Sequence, residues 1–171
     1  KNGFRNDDFR PFLYRITDQG RSWTSVSGNL PASPLNVVMQ DRKNPNLLIV
    51  GNDLGVYVSI TGGAEWSPLK ANLPVVAVHD LTVHPRENDL VLATYGRAVW
   101  AGDITPLQEL STDVLAKPFH LYAVEPRARY GFSTQGMNYH LFGDKYLEVP
   151  NEPEALVVQF HLTTAAGQVQ I

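Results

Sequence analysis

Through the first hundred residues, short apolar runs rich in Val, Leu and Tyr are separated by clusters of Gly, Pro, Asn and Asp, and helical periodicity is nearly absent. Such runs, bounded by turn-forming residues, predict strands. They fall at 11–17 (PFLYRIT), 35–40 (LNVVMQ), 47–51 (LLIVG), 55–60 (GVYVSI), 79–84 (HDLTVH), 90–95 (LVLATY) and 97–101 (RAVWA). Two further strands begin at Trp23 and Trp66.

The pattern repeats. Setting YRITDQGRSWTSVSGNLP (14–31) beside YVSITGGAEWSPLKANLP (57–74) matches Tyr14 to Tyr57, Gly20 to Gly63, Trp23 to Trp66 and Asn29-Leu30-Pro31 to Asn72-Leu73-Pro74, each 43 positions apart. Beyond the tryptophan, Pro45 and Pro85 mark equivalent turns, and Gly55 and Gly96 open equivalent strands with one inserted residue between them. A period of roughly 40 to 50 residues with four strands per unit is that of a β-propeller blade. By this unit the chain holds the last two strands of one blade, a whole blade and three strands of another, which is about two and a quarter blades. So few cannot close a ring. An open sector would leave apolar faces and strand edges in water, so the chain is expected to be part of a longer polypeptide or to be completed by other chains. Lys1 reads as an interior cut point.

After Asp103 the pattern changes. TPLQELSTDVLA predicts a short helix with Thr105 as N-cap, Pro106 at the first helical position, Gln108 completing a capping-box spacing, and Leu107, Leu110, Val114 and Leu115 on one face. FHLYAVEP (119–126) and LVVQFHL (156–162) read as strands on either side of a loop-rich connector, and TTAAGQVQI begins a hairpin partner. The expected organisation is all-β: propeller blades over 1–103, a helical linker over 104–118, and the incomplete beginning of a β-sandwich over 119–171.

The first copy of the repeat contains TDQGRSW, whose Asp18 invites a reading as acid, base or calcium ligand. A calcium loop needs several oxygen donors at alternate positions, whereas here one carboxylate is followed by the cation Arg21. The structural alternative has Asp18 accepting backbone N–H groups of its own turn, Gly20 supplying a positive φ, and Trp23 laying its ring beneath the hairpin. The second copy favours it, since Gly63 and Trp66 persist while Thr61 stands where Asp18 stood.

Composition narrows the function. Fourteen Lys and Arg against 17 Asp and Glu give a net charge of −3 without a basic run, which argues against a nucleic-acid partner. There is no cysteine, hence no disulfide, zinc–thiolate site or thiol nucleophile. No apolar stretch approaches the roughly 20 residues of a transmembrane helix. The five histidines are scattered; His79 and His84, five apart on a strand, would face opposite sides, and no metal or other cofactor is expected.

The turn spacing resembles the Asp-box, or BNR repeat, whose pattern is Ser-x-Asp-x-Gly-x-Thr-Trp. Asp18, Gly20, Ser22 (for Thr) and Trp23 match in the first copy, where Ile16 replaces the leading Ser; Ser59, Gly63 and Trp66 match in the second, where Thr61 and Glu65 depart. The runs 44–66 and 78–110 are similar to the propeller ends of large secreted bacterial proteins described as sortilin-like or glycosyl-hydrolase-like. The resemblance covers 2–110 well and the tail more loosely. It implies a secreted, periplasmic or cell-surface location and a protein, peptide or glycan ligand. It further implies either a non-catalytic binding or scaffold module, or part of a sialidase- or xyloglucanase-like glycoside hydrolase with its catalytic carboxylates outside this chain.

Within the chain no complete catalytic constellation is found: glycoside hydrolysis needs two carboxylates flanking the scissile bond, or the tyrosine, arginine and acid set of sialidases. Glu87 and Asp89 belong to a solvated PREND turn. The remaining candidates for a ligand or buttress site are Asp53, His79, Asp80, Tyr95 and Arg97; the last four are expected to converge near a blade rim or the central channel, with an Asp80–Arg97 pair buttressing the last blade as the alternative. Trp100 and the aromatics of FRPFLY are expected in the core.

Overall fold

The computed structural model describes residues 3–124, 126 and 155–165. A first pair of short strands, β1 (Tyr14–Arg15) and β2 (Thr24–Ser25), forms an antiparallel ribbon. A four-stranded antiparallel meander follows, with β3 (Leu35–Gln40), β4 (Leu48–Asn52), β5 (Gly55–Ser59) and β6 (Ser67–Pro68) in chain order. A three-stranded meander comes next, comprising β7 (Val78–Val83), β8 (Asp89–Thr94) and β9 (Val99–Asp103). The numbers of strands per sheet, two, four and three, are those the repeat predicts.

The core lies between the second and third sheets and explains why β4 is apolar up to its last residue, Asn52. Successive side chains of a strand point to opposite faces. Leu47 and Ile49, fully buried, face Val78, Leu81, Leu90 and Leu92 of the third sheet. Val50 faces the other way, toward Leu30 and Trp66. A strand covered on both sides carries no polar face, and each buried aliphatic side chain contributes about 1.5 to 3 kcal/mol. Gly51 leaves no room for a side chain: a Cβ there would lie 2.9 Å from Cγ1 of Val37 in the paired strand β3 and 2.9 Å from Cγ1 of Val78 in the third sheet.

The second and third sheets also repeat in detail. β3 pairs with β4 through a bulge between Leu35 and Val37, and β7 pairs with β8 through a bulge between Val78 and Asp80. Asn36 and His79, the residues skipped by the ladder, are 43 positions apart.

The segment after β9 departs from the expectation in three ways. One helix becomes two, α1 (Thr105–Glu109) and α2 (Thr112–Leu115), with Ser111 capping α2 by accepting the Val114 N–H at 3.2 Å. Thr105 is inside α1 and not its N-cap: Ile104 holds that position without a side-chain cap, and the Asp103 carboxylate accepts the Thr105 N–H at 2.8 Å. Gln108 does not close a capping box, because its amide donates to Asp41 Oδ1 at 2.8 Å. Leu107 packs on the core and Val114 is buried, whereas Leu115 is exposed. α1 is thus docked on the β3–β4 turn, where Asp41 Oδ2 also accepts the N–H groups of Lys43 and Asn44 at 2.8 Å and Asn44 donates to the Gln108 carbonyl at 3.1 Å.

Strands expected over 119–126 and 156–162 are shorter than the sequence suggests: β10 (Phe119–Leu121) pairs antiparallel with β11 (Phe160–Leu162). Most of the connector between them, and residues 166–171 of the expected hairpin partner, lie outside the described residues.

Candidate functional site

The two tryptophan turns have one backbone and two chemistries. Gln19 and Gly62 have φ of 59° and 66°, and Gly20 and Gly63 have φ of 93° and 94°. In the first turn Asp18 Oδ1 accepts the Ser22 N–H at 2.9 Å; in the second the Thr61 hydroxyl accepts the Glu65 N–H at 3.0 Å. Each indole N–H donates to the carbonyl of the glycine three residues earlier, at 3.2 Å in both copies. Ser59, the leading serine absent from the first copy, adds bonds from the N–H groups of Thr61 at 3.2 Å and Gly63 at 2.9 Å. Hydrogen bonding from Ser22, through its side chain and then its backbone, holds the Asp18 carboxyl below the usual carboxylate range.

The surroundings of the two tryptophans differ sharply. Trp66 is 3% exposed, and its indole N–H also reaches the Val26 carbonyl at 3.0 Å. Asn29 clamps its backbone from both sides, accepting the Trp66 N–H at 2.7 Å and donating to the Trp66 carbonyl at 3.0 Å. Trp23 is 64% exposed and meets Tyr14 edge-on, with ring centroids 6.1 Å apart. It is therefore not laid beneath its hairpin as expected. What buries a tryptophan here is the ledge 26–30 leading out of the preceding sheet, and only Trp66 has one among the described residues.

The sequence-predicted polar candidates lie at the bulged ends of the second and third sheets. His79 stacks on Tyr95, with centroids 5.5 Å apart and planes inclined by 23°. Asn36, at the equivalent bulge, donates to Asp53 Oδ1 at 2.8 Å and to the Val78 carbonyl at 3.0 Å, which ties the rims of the two sheets together. A bulge inserts a residue and re-aims its side chain, so both rims present a bulge residue against a residue of the next hairpin. Tyr95 (75% exposed), His79, Asp53 and Leu54 face solvent. Asp80 and Arg97 are not brought together: the Asp80 carboxylate accepts the Leu81 N–H at 2.9 Å, Arg97 receives the Trp100 indole N–H on its carbonyl at 2.8 Å, and no ion pair joins the two side chains. The rim is an exposed aromatic and polar ridge.

The other histidines are dispersed. His84 Nδ1 accepts the Glu87 N–H at 3.1 Å within the PREND turn, where Arg86 pairs with Glu87. His120 Nε2 lies 3.4 Å from Glu109 Oε2 and opposite His161 in the β10–β11 register, and His140 lies outside the described residues. Among the described residues no group of three His, Asp or Glu side chains is arranged to hold a metal ion, and no helix is long and apolar enough to cross a membrane.

Sequence reasoning passed over the structural roles of two asparagines, Asn29 and Asn36. Asn29 carried a signal, the repeated Asn-Leu-Pro at 29–31 and 72–74. Asn36 carried none, because a bulge is set by pairing register. No protein-family model matches this chain, and no curated protein matches it.

Proposed function

We propose that residues 1–103 form consecutive blades of an Asp-box β-propeller from a secreted, periplasmic or cell-surface protein, and that they serve as a non-catalytic binding or scaffold module. The observation that carries this reading is the interchange of Asp18 and Thr61 within one turn geometry. A carboxylate replaced by a hydroxyl without change of backbone is holding a turn; catalysis would have required the acid. Recognition then falls to the bulge rim, where the His79–Tyr95 stack offers an exposed aromatic platform beside the Asn36–Asp53 pair. Aromatic rings with a polar edge are suited to protein, peptide or glycan surfaces.

The test is to present the protein with polysaccharides, sialosides and peptide libraries and to measure both retention and hydrolysis. Retention without turnover, weakened at least tenfold by Tyr95→Ala, is the expected result. Turnover abolished by a single carboxylate substitution would contradict the binding-only role and assign the blades to a glycoside hydrolase.

A further inference from the structure

The β10–β11 ribbon has two faces of opposite character. Phe119, Leu121 and Phe160 share one face and are exposed, with the two phenylalanine rings 6.4 Å apart. The other face carries His120, Tyr122 and His161 and is turned toward Glu109 at the end of α1. Alternation along a strand requires such a division, but it does not require the imidazoles to be on the covered side. Covering polar rings while leaving phenylalanines in water is unfavourable unless the polar groups find a partner.

The covered face is arranged around its two histidines. His120 and His161 are direct partners in the antiparallel register, which sets their Cβ atoms about 4.5 to 5.5 Å apart on one side of the ribbon. Two imidazoles so placed can reach a single ion at the usual metal–nitrogen distance of about 2.0 to 2.1 Å. Glu109 Oε2 lies 3.4 Å from His120 Nε2, and its Oε1 accepts the Ala123 N–H at 2.8 Å, which fixes the carboxylate. A carboxylate held against one ring nitrogen leaves the other nitrogen as the lone-pair donor. His161 Nε2 is buried and has no hydrogen-bond partner among the described residues. Tyr122 meets the His120 ring edge-on, with centroids 5.0 Å apart. Burial, and then the Glu109 carboxylate, push the Tyr122 hydroxyl above its ordinary range, so the field at this face is one that favours a cation.

We infer that the covered face of the ribbon is a two-histidine site for one divalent first-row transition-metal ion. Its ligands are His161 Nε2 and the ring nitrogen of His120 that Glu109 leaves open, with Glu109 orienting His120 from behind. Imidazole donors select ions such as Zn²⁺, Ni²⁺ and Cu²⁺ over Ca²⁺ and Mg²⁺, which take oxygen ligands. Water fills the remaining positions, so the site needs no group of three His, Asp or Glu side chains, and none is arranged that way among the described residues. A bound ion fastens β10 to β11 and, through Glu109, the ribbon to α1, which Gln108 ties to Asp41. This inference depends neither on the blade reading of the sheets nor on the binding role of the rim.

Isothermal titration of the 171-residue protein with ZnCl₂ tests it. One ion per chain is expected to bind, at least tenfold more weakly in His120→Gln and in His161→Gln and with unchanged affinity in His84→Gln. Glu109→Gln should keep the stoichiometry and weaken binding by about ten- to a hundredfold, as loss of a carboxylate behind a ligating histidine does. Loss of the ribbon in a histidine variant would mimic loss of a ligand, so the unaltered protein is titrated in parallel by NMR. There the Cε1–H signals of His120 and His161 should move together on addition of Zn²⁺, while those of His79 and His84 stay in place. No binding of Zn²⁺, equally strong binding of Ca²⁺, or unchanged affinity in His161→Gln would overturn the inference. Movement of the His84 signal without those of the two ribbon histidines would also overturn it.

Discussion

Gly20 and Gly63 offer a controlled comparison, because the two positions share a backbone and differ only in what surrounds them. Their φ values are 93° and 94°, in a region that L side chains rarely adopt, so an alanine at either pays the same conformational penalty, about 1 to 2 kcal/mol. At Gly20 a Cβ meets nothing within 4 Å, and the cost of Gly20→Ala stops there. At Gly63 the Cβ would stand 2.7 Å from Val26 Cβ and 2.9 Å from the Val26 carbonyl oxygen, against the ledge that covers Trp66. Crowding of that kind adds about 1 to 3 kcal/mol, bringing Gly63→Ala to about 2 to 5 kcal/mol, a large part of the roughly 5 to 15 kcal/mol margin of a folded domain. Urea unfolding read by tryptophan fluorescence should place the midpoint of Gly63→Ala well below that of Gly20→Ala with the slope unchanged. Equal midpoints, or a greater loss for Gly20→Ala, would refute the assignment of the ledge 26–30 as the cover of the second turn.

The exchange of Asp18 for Thr61 predicts a difference in acid response. The Asp18 carboxyl is held below its unfolded value of about 3.9, so its contribution is complete above about pH 4 and is lost as the pH falls through the lowered folded value. The Trp23 indole N–H resonance should therefore shift below pH 4 while that of Trp66 stays in place, and Asp18→Asn should remove the transition; parallel movement of both signals would contradict the assignment. Gln108→Leu leaves Asp41 Oδ1 without its donor in a residue only 6% exposed, which should cost about 1 to 3 kcal/mol in denaturant unfolding. An unchanged midpoint would show that α1 is not anchored by this contact.

The meander order and the repeat were legible because they depend on local pattern. β3 spans the residues its apolar run predicts, and the turn geometry recurs wherever the glycine and tryptophan spacing does. What escaped the sequence depends on distant partners. Trp23 and Trp66 share spacing and residue type, yet one is exposed and the other buried, since burial is decided by a ledge 36 to 40 positions away in the chain. The helix cap went astray because Asp103, outside the expected capping box, competes successfully for the Thr105 N–H, and because Gln108 finds Asp41 across the fold. Candidate site residues were only partly resolved: His79, which stacks on Tyr95, sits at a bulge that no periodicity announces, and Asp80 and Arg97 take separate partners.

The central proposal is that the units set 43 residues apart are equivalent, and that the second is fixed by Trp66 seated under the ledge 26–30. Denaturant unfolding of Trp66→Ala beside Trp23→Ala, followed by circular dichroism, tests it most directly. The account predicts a midpoint for Trp66→Ala far below that of the unaltered protein and little change for the exposed Trp23→Ala. Equal midpoints for the two variants would contradict it.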